Sequence, residues 1–207
     1  MNYNISKNFN NVYIISAPSG AGKTSLVKQL CNDWHFIKPS ISHTTRKRRL
    51  GEKNGEDYFF VAKKEFIRQA SENFFLEHQK VYGNFYGTSL KSINSIIDSG
   101  CDVILEINYE GMLEVKKIIS DAITIYILPP DIETLENRLV NRGDDKNEVL
   151  KRRVHSSKKE LNYAQFADYT IINDEFDIAL WDLKRIILKE KMCSNYLEKW
   201  ISSIVPK

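Results

Sequence analysis

The residues Ala17-Pro18-Ser19-Gly20-Ala21-Gly22-Lys23-Thr24-Ser25 have the types and spacing of a loop that cradles phosphate. Gly20 and Gly22 open backbone conformations closed to other residues and let N–H groups approach an anion. A helix that starts directly after the loop adds partial positive charge where the phosphates would lie. Lys23 suits the β- and γ-phosphates of a nucleotide, and the Thr24 hydroxyl suits Mg²⁺. The usual pattern opens on glycine. Here Ala17 takes that place, and alanine accepts a right-handed turn but not a left-handed one. The motif specifies phosphate binding and leaves the substrate open.

The elements that must position this loop are legible around it. Val12–Ser16 reads as a short apolar strand, and a helix is expected from about Gly22 to Asn32. Asp102–Ile107, Ile123–Leu128 and Tyr169–Asn173 read as further strands, continuous rather than alternating in polarity. Runs of that kind, separated by helices, predict an α/β fold with a parallel sheet core covered on both faces. Gly100 suits the end of a Leu90–Ser99 helix. Asp131 suits the N-cap of Ile132–Arg142, which Gly143 ends. Leu180, Leu183 and Ile187 give a later helix one apolar face. Between Ile41 and Ser89 the pattern changes to aromatic and polar alternation around a helix at Lys63–Glu72, predicting a small mixed insert on antiparallel strands. Arg142–Lys151, charged and glycine-containing, reads as a mobile flap.

Composition narrows the classes. The 207 residues suit one domain, with a core at about 12–40, 90–130 and 155–207, the insert at about 41–89 and a lid at about 131–154. A net charge of +3 is too weak for wholesale nucleic-acid or membrane binding, so any basic function must be local. Cys31, Cys101 and Cys193 are far apart and odd in number, which fits a reducing compartment. The histidines His35, His43, His78 and His155 show no metal-ligand spacing with them. The asparagine-rich start is no secretory signal, and no apolar run approaches a membrane span. A cytoplasmic protein is expected. Trp200, Ile201, Ile204 and Val205 are expected either to pack internally or to form a homodimer contact.

Ser42-His43-Thr44-Thr45-Arg46-Lys47-Arg48-Arg49-Leu50-Gly51-Glu52 resembles the signature of the guanylate kinase family. Taken by itself, Arg46–Arg49 would read as a solvated basic turn. The resemblance continues through Gly55–Val61, Phe75-Leu76-Glu77, Gly83–Thr88, Pro129-Pro130, Arg138, Asn141-Arg142-Gly143, Arg152-Arg153 and Ile172-Asn173-Asp174. It spans about Val12 to Leu188 in the family's order and spacing. It implies a P-loop kinase fold, in which the insert binds GMP and a mobile lid closes over ATP, with Mg²⁺ accompanying the ATP.

The same resemblance implies residue roles. Arg46 and Arg49 would grip the acceptor phosphate with Tyr58 and Tyr86, since planar guanidinium forks bind phosphate oxygens bidentately. Glu77 and Ser42 would read guanine, with Gly87 adjacent and Thr88 near the O6 edge. One carboxylate can accept both N1–H and the N2 amino group of guanine, whereas adenine would face it with a lone pair. Such a site can reject the wrong base by roughly 10⁴-fold. Arg138, Arg142 and Arg153 match lid arginines that close on the triphosphate. Asn173-Asp174 resembles the segment beside adenine, with Asp174 equally suited to an N-cap.

The acceptor phosphate has its second ionisation at about pH 6 and is already a nucleophile, so no general base is expected. Alignment and charge stabilisation would carry the reaction. The family's usual Asp-x-Asp-x-Gln-Gly stands here as Glu106-Ile107-Asn108-Tyr109-Glu110-Gly111. Glu106 and Asn108 remain as candidate GMP contacts. A binding module without catalysis would lack Lys23 and Thr24, a P-loop GTPase would carry an N-K-x-D motif, and a different small-molecule kinase would have no reason to keep Ser42, Arg46, Arg49, Glu77 and Tyr86.

Overall fold

The structure is a computed structural model and describes residues 11–141 and 147–193, with side chains omitted at 147–153 and 193. In chain order the first elements are β1 (Val12–Ser16), α1 (Lys23–Asp33), β2 (Ile37–Pro39), β3 (His43–Thr44) and β4 (Phe59–Phe60). Next come α2 (Lys63–Ser71), β5 (Phe75–Val81), β6 (Asn84–Ser89), α3 (Leu90–Asp98), β7 (Asp102–Glu106) and α4 (Tyr109–Ile118). The last are β8 (Ile123–Leu128), α5 (Ile132–Asn141), α6 (Asn147–Glu160), a 3-10 helix (Leu161–Phe166), β9 (Tyr169–Ile172) and α7 (Phe176–Cys193).

Five strands pair in the order β2-β7-β1-β8-β9, each pairing parallel. Successive residues of a strand face opposite sides, and this splits the apolar runs between two cores. Tyr13, Ile15, Ile104, Ile125 and Ile127 meet Leu26 and Leu30 of α1 and Leu183 and Ile187 of α7. Ile14, Val103, Leu105 and Tyr126 turn the other way, onto Ile93 and Ile97 of α3 and Met112 and Val115 of α4. Covering on both faces is why the strands read as unbroken apolar runs. The strand missing from the sequence reading is β2, whose three residues include one exposed lysine and end in proline.

Helix ends follow their expected chemistry. Thr134 N–H donates to Asp131 Oδ1 at 2.6 Å, capping α5. After α3, Gly100 N–H donates to Ile97 and Cys101 N–H to Ile96, with Gly100 in the left-handed conformation. Ser89 caps α3 through Ser92 N–H, and Asn108 caps α4 through Gly111 N–H at 3.0 Å. Each such cap is worth about 1 kcal/mol. Asp174 does not cap α7: Ala179 N–H donates to the Glu175 carbonyl, which puts Glu175 at the cap and Asp174 one residue outside. The stretch expected as a flap is helical from Asn147 onward, while 142–146 lie outside the described residues.

The second sheet runs β4-β3-β6-β5. The β5–β6 hairpin turns at Tyr82-Gly83, both with positive φ, the backbone of a type I′ turn. The β3–β6 pair is antiparallel as expected, but β3 and β4 pair in parallel. Phe66 stacks on Phe75 and Phe85 beneath this sheet, and His43 packs its buried ring among Phe59, Phe74 and Phe75. Burial without charge partners pushes the His43 imidazole below its ordinary range. It serves as core.

Candidate functional site

A cleft of about 620 Å³ opens at the carboxyl ends of β1 and β7, where ligands of open parallel sheets bind. One wall is the loop 17–25. Gly22 has φ +89, and a Cβ there would stand 2.2 Å from Asn173 Nδ2. The Asn173 amide occupies that space because it donates to the Ala21 carbonyl at 2.7 Å. Arg138 Nη1 in turn donates to the Asn173 carbonyl at 3.1 Å, so α5 is tied to the end of β9 and through it to the loop. Ser157 on α6 reaches the Ser19 carbonyl at 3.4 Å.

Lys23 Nζ donates to the Ile107 carbonyl at 3.1 Å. Burial lowers its pKa, opposed by the carboxylates of Glu106, Glu160 and Glu77. Thr24 Oγ1 lies 3.2 Å from Glu106 Oε2. A hydroxyl and one carboxylate are hard oxygen donors that fit Mg²⁺, which binds through one or two carboxylates together with nucleotide phosphates. Among the described residues no cluster of His, Cys, Asp and Glu forms a cage for a metal by itself.

The opposite wall comes from the insert. Of the basic run, Arg46 and Arg49 turn into the cleft while Lys47 and Arg48 are exposed. The side-chain exposure of Arg46 is 14%, and its fork meets Glu52 with Nη2–Oε1 at 2.7 Å and Nη1–Oε2 at 3.0 Å. Its guanidinium lies over the Tyr58 ring at 5.4 Å, and the Tyr58 and Tyr86 rings meet edge to face. Burial would lower the Arg46 pKa, but Glu52 and the Tyr86 hydroxyl reverse this and raise it.

Between the walls lies Glu77, 4% exposed. Thr88 Oγ1 donates to Glu77 Oε1 at 2.6 Å. Burial pushes the Glu77 carboxyl up to about 7, against the Thr88 hydrogen bond, with Glu114 adding to the rise and Lys23 opposing it. The first turn of α4 crosses closely enough that a Cβ on Gly111 would lie 2.9 Å from Glu77 Oε2. A buried carboxylate with one oxygen held by a hydroxyl is poised to accept two donors from one planar base. Two walls of fixed cations flanking a buried acceptor can hold two phosphates and inspect a base.

The family profile of guanylate kinase matches residues 9–190. The chain belongs to the guanylate kinase family. It is 48% identical over 181 residues to the guanylate kinase of Hahella chejuensis, covering 87% of each chain. It is 50% identical over 181 residues to that of Psychrobacter arcticus, covering 87% of this chain and 86% of the relative. The crystal structure of guanylate kinase from Anaplasma phagocytophilum superposes with a TM-score of 0.77 at 28% identity, covering 97% of this chain and 98% of the other.

The residues picked out by resemblance to guanylate kinases fall mostly in the one cleft: Ser42, Arg46, Arg49, Tyr58, Glu77, Tyr86, Gly87, Glu106, Asn108, Arg138 and Asn173 line it, with the loop residues except Ala21. Ala21 is buried behind its carbonyl bond to Asn173, and Thr88 stands behind Glu77 rather than in the wall. Arg142 lies outside the described residues; Arg153 falls on α6, its side chain outside the description. Sequence reasoning missed Gln79, Val81, Tyr82, Glu160 and Phe176, which also line the cleft. Their signal was weak: Gln79 and Val81 alternate with exposed residues on β5, and Glu160 ends a helix dense in charge. Gln79 Nε2 donates to Glu114 Oε2 at 2.8 Å, fixing the second acid near Glu77.

Proposed function

We propose that the cleft binds ATP on the 17–25 loop and GMP on the insert wall, and transfers the terminal phosphoryl group of ATP to GMP, giving ADP and GDP. The observation that carries this reading is the sharing of one cavity by Lys23, the Arg46–Arg49 pair and buried Glu77. Separate cavities for the donor and acceptor cations would have left no route between two phosphates.

Loop N–H groups and Lys23 hold the donor phosphates. Thr24 and Glu106 would hold Mg²⁺. Bound there with ATP, the ion would supply positive charge to offset the charge that develops on the transferring phosphoryl group. Arg46, Arg49, Tyr58 and Tyr86 hold the acceptor phosphate. Glu77 accepts from guanine N1–H and the N2 amino group, with Ser42 beside it, and Thr88 fixes the acid's orientation. Asn108 caps α4 next to the base site. Arg138, with Arg142 and Arg153, approaches the transferring group as the lid closes and excludes water. Lid and insert move as hinges about the fixed sheet. In this reading residues 41–89 bind GMP and 131–154 form the lid.

The cleft's volume of about 620 Å³ suits small-molecule ligands, and among the described residues no helix is long and apolar enough to cross a membrane. Among the described residues Cys31 and Cys101 are free thiols, in keeping with the reducing, cytoplasmic setting of this proposal. Trp200, Ile201, Ile204 and Val205, expected either to pack internally or to form a homodimer contact, lie outside the described residues.

The test is ADP production from Mg-ATP with GMP, AMP, UMP or no acceptor. The expected result is turnover with GMP at least about 10³ above AMP or UMP. Comparable rates on AMP or UMP would end the guanine assignment, and ADP at the blank level with GMP would end the kinase reading.

A further inference from the structure

Glu52 is not among the groups expected to touch either nucleotide, yet both of its oxygens are committed to the acceptor clamp. Oε1 accepts from Arg46 Nη2 at 2.7 Å, and Oε2 accepts from Arg46 Nη1 at 3.0 Å and from the Arg49 backbone N–H at 2.8 Å. The Lys47 carbonyl takes a further hydrogen from Arg46 Nη1 at 2.9 Å. Glu52 is 18% exposed on its side chain, and the pair is largely shielded from water. One carboxylate therefore fixes a side chain and a backbone segment three residues apart, closing the 46–52 turn on itself.

The consequence follows from guanidinium geometry. Glu52 uses the end-on edge of Arg46, between Nη1 and Nη2, and Lys47 uses the outer hydrogen of Nη1. The side-on edge, Nε–H with the second Nη2 hydrogen, is a second fork of the same plane and suits two phosphate oxygens. An arginine held only at its Cα would lose substantial rotamer freedom on gripping phosphate. Held at its far edge and seated over Tyr58, it has already lost it.

We propose that Glu52 is the positioning residue of the acceptor-phosphate clamp, holding Arg46 by its end-on edge so that its side-on edge is presented to the phosphate of GMP. The proposal rests on Arg46 being a phosphate ligand. Glu52 acts through Arg46 and Arg49, and its carboxylate stays on Arg46 while phosphate is bound.

The experiment compares GMP with guanosine, which has the same base and ribose without the phosphate. Binding of each is measured by calorimetric titration on the full chain, with the parent, Glu52→Gln and Arg46→Lys. Glu52→Gln is expected to weaken GMP about tenfold and guanosine hardly at all, and in steady state to raise KM for GMP while KM for ATP stays put. A purely structural loss would weaken both ligands and lower the melting temperature together. Should Glu52→Gln melt early, Glu52→Asp, which keeps the charge and shortens the reach, carries the same comparison. An unchanged GMP-to-guanosine ratio in a folded Glu52 variant overturns the proposal. Tighter GMP binding also overturns it, since that would make Glu52 a competitor of phosphate. Arg46→Lys separates the two layers: if it too leaves the ratio unchanged, the clamp reading itself falls, whereas weakened GMP with an unchanged Glu52 variant removes the positioning role and leaves the clamp.

Discussion

The side-chain amide of Asn173 donates to the Ala21 carbonyl at 2.7 Å and so joins the last strand of the sheet to the phosphate loop. The same amide fills the space next to Gly22, and its own backbone carbonyl takes the Arg138 guanidinium. Donor loop and sheet are therefore hydrogen-bonded to each other, and α5 of the proposed lid is joined to them through Arg138.

That contact predicts the outcome of Gly22→Ala. The new Cβ would meet Asn173 Nδ2 at 2.2 Å on a backbone at φ +89, and left-handed strain of this sort costs about 1–3 kcal/mol. The expected result is a melting temperature lowered by several degrees and KM for ATP raised at least about tenfold, with GMP affinity retained. Equal losses for both nucleotides would show that the loop is not confined to the donor.

Lys23→Ala should abolish turnover, by about 10³-fold or more, while leaving GMP binding by calorimetry largely intact. Lys23 faces Glu106, Glu160 and Glu77, so its removal also leaves three carboxylates without their shared cation. Normal activity of the variant would refute the assignment.

Glu77 gives a prediction with two signs. Burial raises its carboxyl to about 7, so the carboxylate proposed to accept from guanine would first have to lose a proton. The value of kcat/KM for GMP should fall as pH drops below about 7, and Glu77→Gln should lose that limb together with discrimination against AMP. For stability the raised value works the other way. The folded chain holds this proton more tightly than the unfolded chain does, so the group weakens the fold increasingly between the ordinary carboxylate range and about 7, and fully above it. Glu77→Gln is therefore expected to melt higher than the parent at pH 8, with the difference vanishing toward pH 4. A lower melting temperature at pH 8 would mean that the charged form is compensated more fully than burial indicates.

Removal of Mg²⁺ by EDTA should stop ADP formation, and Thr24→Val should raise the Mg²⁺ concentration required for half-maximal rate. Thr24 hydrogen-bonds Glu106, so Glu106→Gln should move the same quantity. A variant shifted in GMP affinity with no change in metal requirement would assign Glu106 to the acceptor side.

Much was legible in the sequence because it depends on near neighbours. The apolar runs of β1, β7 and β8 name a sheet buried on both faces, Asp131 and Gly100 punctuate helices, and the 17–25 loop carries its chemistry in nine consecutive residues. Tertiary structure decided what depends on how the chain packs and which groups it brings together. Whether Arg46 and Arg49 or Lys47 and Arg48 face the cleft is set by Glu52 and the aromatic seat of Tyr58, not by the charge pattern. The shift of Glu77 comes from its burial and from Glu114, and the need for glycine at position 22 comes from Asn173, about 150 residues away. Local sequence fixes the dihedral preferences and the chemical groups available. The long-range fold sets which groups lose water and which charges face each other, and those two quantities control binding and reactivity.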